Sequence, residues 1–308
     1  MYDHHEIMDG TRSPLWAGFL SLAATGLGHI YCGKIEKGLV LFFISFVFAP
    51  IISSSMTQGT SSFSLAAVIG SVLILVFVFF YALIDAVITA KKINKPYTLK
   101  EYNRWYIYLA FIIVSVTYPT NLANTIRDHV VQAYKIPSNS MVPGILKHDF
   151  VLINKAVYRK HSPEVGDVVI FINPNKRHLD FMKRIVAMPG DTLEIKNNVV
   201  FINDSPLGYR DANDDALKAL GKQVDGTVII EINGSATYGI MLTQDKMPDF
   251  QKTKIPNGHC FVLGDNRNNS QDSRKFGPVP LCDIKGRVES IYLPAESWSR
   301  FGSYKDLH

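Results

Sequence analysis

Three short segments of this chain hold residues that could do covalent chemistry. Pro137-Ser138-Asn139-Ser140-Met141 places a serine in a turn. Phe181-Met182-Lys183-Arg184 places a lysine at the end of an apolar run. Gly264-Asp265-Asn266-Arg267-Asn268-Asn269-Ser270-Gln271-Asp272-Ser273-Arg274 is a loop dense in polar groups. Serine is a poor nucleophile unless a base takes its proton, and a lysine can be that base if burial lowers its pKa. A free lysine titrates near about 10.4 and keeps its proton at neutral pH. Leu179, Phe181 and Met182 precede Lys183 and can desolvate its amine. Arg184 cannot substitute, because guanidinium stays charged. In a strand these neighbours point to opposite faces, so Lys183 is expected inward and Arg184 toward solvent. Pro137 and Pro143 flank Ser140 and forbid a helix through the turn. None of the histidines sits in a recognisable triad or zinc motif. His148 alone lies near Ser140 in sequence, and it reads as a surface residue. Taken singly, a loop serine is usually a turn former and an exposed lysine usually a solvated one.

Short β-rich runs must position these groups. They cover residues 150–154, 167–172, 192–195, 199–202, 227–232, 260–263 and 287–293. Turn signals separate them at Val165-Gly166-Asp167, Pro189-Gly190-Asp191, Asn197-Asn198 and Pro256-Asn257-Gly258. No long amphipathic helix interrupts the pattern. The reading for residues 127–308 is an all-β domain of folded sheets or a partly closed barrel. Residues 203–254 differ, being rich in Asp, Gly and Asn, and read as an inserted lobe with no chemistry assigned.

Residues 1–126 read as a multi-helix membrane region. A bilayer core needs about 20 apolar helical residues. Residues 63–84 and 105–126 are uncharged, and hydrophobic segments are expected at about 14–32, 38–55, 63–88 and 105–126. The first carries Gly18, Gly26, Gly28 and His29, and could span or be re-entrant. Trp105, Tyr106 and Tyr108 open the last as an interfacial aromatic belt would. Lys91, Lys92, Lys95, Lys100 and Arg104 outweigh Glu101 between the last two segments, which predicts a cytoplasmic loop and an extracytoplasmic domain after it. The first twelve residues lack the basic start of a removable signal peptide, so the chain is expected to be anchored. The formal net charge is +5 without long Lys/Arg runs, so no nucleic-acid partner is expected. The three cysteines have no metal or redox spacing. Cys260 and Cys282 could form a disulfide outside the cytoplasm or remain two buried thiols.

The three segments, in this order and with these gaps, resemble the boxes of the type I signal peptidases, membrane-bound proteases that remove signal peptides from exported preproteins. The likeness covers roughly residues 134–293. Ser140, Met141 and Pro143 match the serine box; Met182-Lys183-Arg184-Ile185-Val186 with Pro189-Gly190-Asp191 matches the lysine box; residues 264–274 match the third box. The resemblance implies a Ser140/Lys183 dyad. It implies an oxyanion hole from the Ser138 hydroxyl and the Ser140 N–H, Ser270 hydrogen-bonded to Lys183, and an Asp272–Arg274 ion pair. It implies that Ile136, Met141, Ile145 and Phe181 line shallow pockets suited to a small-x-small cleavage motif. It implies no cofactor and no metal, and a multi-pass protein of the bacterial inner membrane with a periplasmic catalytic domain. Its partners would be preprotein signal peptides, the lipid bilayer and the translocation machinery. Asn139 departs from a usual glycine, which suits it if its φ is positive, and Asn268 departs from a usual aspartate. His148 also stands where the family has glycine. Trp298 and Phe301 are suited to rest at a lipid surface. The run Gly26-Leu27-Gly28-His29-Ile30-Tyr31-Cys32-Gly33 is similar to the two-helix TM2 module. Two other readings are open to the same residues: a self-processing Ser/Lys protease, opposed by the anchor and complete third box, and an idle membrane scaffold, opposed by the intact Ser138, Ser140, Lys183 and Ser270.

Overall fold

The computed structural model describes residues 11–57, 62–93, 97–159, 161–212, 217, 220, 223–243 and 247–302, with backbone alone for 48–57 and 62–68. Lys95, in the basic loop, lies outside the described residues. The chain divides into two compact units, Met1–Ile126 and Arg127–His308.

The first unit is helical: α1 (Pro14–Ala23), α2 (Leu27–Tyr31), α3 (Ile35–Thr57), α4 (Ser62–Lys91) and α5 (Trp105–His129). Among the described residues, two stretches are long and apolar enough to cross a membrane, Ile69–Lys91 and Trp105–His129. Their outward faces carry large apolar side chains, Leu73 and Phe77 among them. Residues 14–32 do not make one spanning helix. A ten-residue α1 rises only about 15 Å, half of a bilayer core. The chain then turns at Gly26, whose φ is 89° and where a Cβ would lie 2.2 Å from the Gly38 carbonyl oxygen of α3. Only glycine fits that approach. His29 Nε2 and Lys37 Nζ lie 2.7 Å and 2.8 Å from Asp85 Oδ2, tying α2, α3 and α4 together.

The second unit is mostly β-sheet. Its strands are β1 (Val131–Lys135), β2 (Phe150–Asn154), β3 (Val168–Asn173), β4 (Lys176–Ala187), β5 (Thr192–Lys196), β6 (Val199–Ile202), β7 (Ser205–Pro206), β8 (Gly208–Asp211), β9 (Thr227–Asn233), β10 (Ala236–Leu242), β11 (Phe250–Lys254), β12 (His259–Leu263), β13 (Val279–Pro280) and β14 (Ile284–Leu293). A seven-stranded sheet runs β1-β2-β14-β3-β4-β12-β13. Smaller sheets run β11-β5-β6-β7 and β10-β9-β8. Val168 through Phe171 are buried on both faces of β3, each such apolar side chain contributing roughly 1.5–3 kcal/mol. Strand β4 is exposed over Lys176–Asp180 and buried from Lys183 to Ala187, so it enters the core at the lysine. Asn197 and Asn198 have φ of 52° and 68°, the paired left-handed backbone of a tight hairpin turn. Within residues 203–254, β8, β9 and β10 form a sheet of their own, while β7 pairs with β6 and β11 with β5, which lie outside the stretch in sequence. Cys260 is a buried free thiol and Cys282 an exposed one, so the disulfide does not form and only one of the two is buried.

Candidate active site

Residues 137–149 carry the serine between β1 and β2. Ile136 N–H donates to the Asp149 carbonyl and His148 N–H to the Ile136 carbonyl, at 2.9 Å and 2.8 Å, closing the base of the loop. The Asp149 carboxylate is fully buried, accepts Leu146 N–H at 2.7 Å and is forked by Arg300 at 2.8 Å and 2.9 Å. His148 is exposed with φ of 73°, so the glycine-like backbone of this turn falls at His148. Asn139 is not in the left-handed region, so the backbone argument for asparagine there does not apply.

Lysine and serine meet across the sheet. Lys183 on β4 lies opposite Val169 on β3, and its Nζ reaches within 2.8 Å of Ser140 Oγ and 2.7 Å of the Met182 carbonyl oxygen. Lys183 is 4% exposed. Burial pushes its pKa down to about 8, while the Asp272 and Asp265 carboxylates pull it back upward. The amine is therefore near the point where it can accept a proton in neutral to mildly alkaline water. Ser138 Oγ lies 3.2 Å from Ser140 Oγ.

Arg184 does not meet solvent. It points to the opposite face from Lys183 and is equally buried, at 4%. Asp265 accepts from its Nε and Nη2 at 2.8 Å and 2.7 Å, and Gly166 O from its Nη1 at 2.7 Å. Both faces of β4 are covered here, so an unpaired guanidinium would be costly and the fork neutralises it.

The third segment closes over the serine turn. Asp272 is fully buried, accepts Gly264 N–H at 3.1 Å and is forked by Arg274 at 2.8 Å and 2.7 Å. Burial would raise its pKa; Arg274 and the Gly264 N–H outweigh that and hold it below the ordinary carboxylate value. Asp272 also caps the short helix α6 (Ser273–Phe276). Gly264 permits the close approach: a Cβ there would lie 2.6 Å from the Ser140 carbonyl oxygen and 2.2 Å from Ser270 Oγ. The expected bond from Ser270 to Lys183 is not formed. Ser270 Oγ is buried and turned to the Asp272 carboxylate, which it helps keep ionised, while Lys183 Nζ is engaged by Ser140 and Met182.

Beside the dyad is a cleft of about 510 Å³, lined in part by Ile136, Met141 and Phe181. Ile145 does not reach it, because it is fully buried in the cluster of Val151, Ile153 and Ile291. Tyr134, Asp180 and Lys275 line the cleft unforeseen. The alternation of β1 could have flagged Tyr134; Asp180 and Lys275 lie beside the lysine and third segments but carry no signal of their own. Burial and the Asp180 charge push the Tyr134 phenol up to about 12. The Arg267–Glu231 pair was also unforeseen, since Glu231 lies 36 residues away in the inserted stretch.

Residues 104–293 match a family model described as signal peptidase, peptidase S26. The chain is similar to a signal peptidase I from Aquifex aeolicus (strain VF5), at 36% identity over 54% of this chain and 77% of that protein. A probable signal peptidase I-1 from Synechocystis sp. (strain ATCC 27184 / PCC 6803 / Kazusa) is 30% identical over 59% of this chain and 82% of its own. The signal peptidase I of Pseudomonas fluorescens is 30% identical over 70% of this chain and 78% of its own.

Proposed function

The chain belongs to the signal peptidase family of S26 peptidases and is a serine peptidase that cleaves signal peptides; from that premise we propose that Ser140 is its nucleophile and Lys183 its general base. The observation that carries this assignment is a buried amine, 2.8 Å from a serine hydroxyl, with its pKa lowered to about 8. The neutral amine takes the Ser140 proton as Oγ attacks the scissile carbonyl. Negative charge then builds on the carbonyl oxygen, where the Ser138 hydroxyl and Ser140 N–H are its donors. The Lys183 ammonium returns the proton to the leaving amine, and water, deprotonated by the same lysine, releases the acyl group.

Ile136, Met141 and Phe181 favour small side chains before the scissile bond, as in a small-x-small motif. The Asp272–Arg274 pair and Ser270 hold the third loop against Gly264 and the serine turn. Residues 69–91 and 105–129 anchor a multi-pass protein of the bacterial inner membrane, with the catalytic unit on the periplasmic side. Trp298 and Phe301, 68% and 47% exposed, suit contact with lipid, and the helical unit suits recruitment near the translocation machinery. The test is cleavage of a preprotein by the purified full chain in detergent. Wild type is expected to cut after a small residue, with Ser140→Ala and Lys183→Arg both inactive; substantial activity in either variant overturns the dyad.

A further inference from the structure

The hairpin formed by β9 and β10 is joined to the catalytic loop by a buried network. Glu231 on β9 is fully buried, and Arg267 of the loop is 1% exposed. Arg267 Nη1 donates to Glu231 Oε2 at 2.7 Å and Nη2 to Oε1 at 2.6 Å. Tyr238, opposite Glu231 in the hairpin register, donates its hydroxyl to Oε1 at 2.9 Å. Backbone bonds run alongside: Met241 N–H to the Asp265 carbonyl at 2.8 Å, and Arg267 N–H to the Met241 carbonyl at 2.9 Å. Thr243 N–H donates to Asn268 Oδ1 at 3.1 Å. Asn233, ending β9, donates to the Val186 carbonyl at 2.8 Å, on the strand that carries Lys183.

From these residues the bonds continue to the reacting groups. Asn266, between the two bridged positions, donates its N–H to the Ser140 carbonyl at 3.2 Å and its side-chain amide to the Asn139 carbonyl at 3.3 Å. The Arg267 carbonyl accepts from Arg274 Nη2 at 2.7 Å, the same guanidinium that forks Asp272. Burying an arginine and a glutamate carries a heavy desolvation cost, so such a pair adds little net stability. What a two-bond fork adds is a single orientation for Arg267.

We propose that Glu231 is a positioning residue for the peptidase reaction. Through Arg267 it sets the backbone of residues 265–267, and thereby the seating of Ser140 and of the Asp272–Arg274 pair. The stretch that the sequence marks as an insertion without chemistry is on this reading a brace for the dyad. The proposal rests on the assignment of Ser140 and Lys183 above.

The test compares kcat, KM, the pH profile of kcat/KM and Tm for full-chain wild type, Glu231→Gln, the apolar pair Glu231→Leu with Arg267→Met, and Ser140→Ala, on one preprotein. Wild-type activity with an inactive Ser140→Ala keeps the dyad assignment separate from this proposal. Glu231→Gln leaves an amide N–H facing the guanidinium and should lower kcat about tenfold or more below its melting temperature. Its acidic limb should also move by about half a pH unit or more, because Asp265 and Asp272 no longer hold their distances from Lys183. The apolar pair fills the site without a stranded charge; it should stay folded with the same loss and the same limb shift. If Glu231→Gln does not fold, the apolar pair decides. A folded apolar pair with wild-type kcat and wild-type limb overturns the proposal, as does a Glu231→Gln effect confined to Tm.

Discussion

At the residue scale, the reaction and the stability of the domain pull on Lys183 in opposite directions. Its ammonium is buried, and its pKa falls from the ordinary 10.5 to about 8. Between those values the unfolded chain binds the extra proton, so folded-state stability rises as pH climbs from about 8 toward 10.4. Below about 8 the buried charge costs the folded state up to roughly 3 kcal/mol. Lys183→Met should therefore raise Tm at pH 7 while abolishing cleavage, and its advantage should shrink as pH climbs from about 8 and be gone above about 10.4. Melting curves of both proteins across that range check the sign; a destabilised methionine variant at pH 7 would contradict the burial argument. Ser138 makes a different prediction. Its hydroxyl lies 3.2 Å from Ser140 Oγ and can serve the developing oxyanion without serving as base. Ser138→Ala should lower kcat by about 10²–10³-fold with a smaller change in KM. Unchanged kcat would remove Ser138 from the mechanism and leave the dyad in place.

At the scale of elements, one strand and one loop do most of the positioning. Strand β4 buries Lys183 on one face and Arg184 on the other, and Asp265 neutralises the second. The loop after β12 can close on the serine turn because residue 264 has no side chain. Gly264→Ala places a methyl 2.6 Å from the Ser140 carbonyl oxygen and 2.2 Å from Ser270 Oγ. Such overpacking costs typically about 1–3 kcal/mol. Displacing the turn is expected to reduce cleavage by about 10²-fold even where the sheet survives. Circular dichroism with preprotein cleavage separates the two effects, and a folded, fully active variant would show that the loop has slack.

At the scale of the whole molecule, the chain couples a helical unit to a β-rich catalytic unit. The basic residues of the loop between α4 and α5 predict that this loop is cytoplasmic and that the β-rich unit after α5 is outside. Lys100 and Lys196 are exposed and suit a cysteine test in a Cys282→Ser background, since Cys32 and Cys260 are buried. In spheroplasts an impermeant thiol reagent should label Lys196→Cys at once and Lys100→Cys only after permeabilisation. The reverse pattern would overturn the topology.

The sequence alone determined the groups that could react and the class of each half. A serine between prolines, a lysine after apolar residues, short β-rich runs bounded by turn signals and long uncharged runs are local signals, readable because their physics acts within a few residues. The turns at Gly166, Gly190 and Gly258 were legible for the same reason, and all three have positive φ. Strand β4 was not, because its first five residues are exposed, four of them polar, and only its second half enters the core. The break in residues 14–32, the burial of Arg184 against Asp265, the retreat of Ile145 into the core and the free Cys260 and Cys282 depended on what came to lie opposite them. Ser270 was expected on the lysine and lies instead against Gly264. The fork between Arg267 and Glu231 joins positions 36 residues apart. Charge pairing and steric contact across such separations follow from sheet register and chain crossing, and these exist only once the tertiary structure has formed.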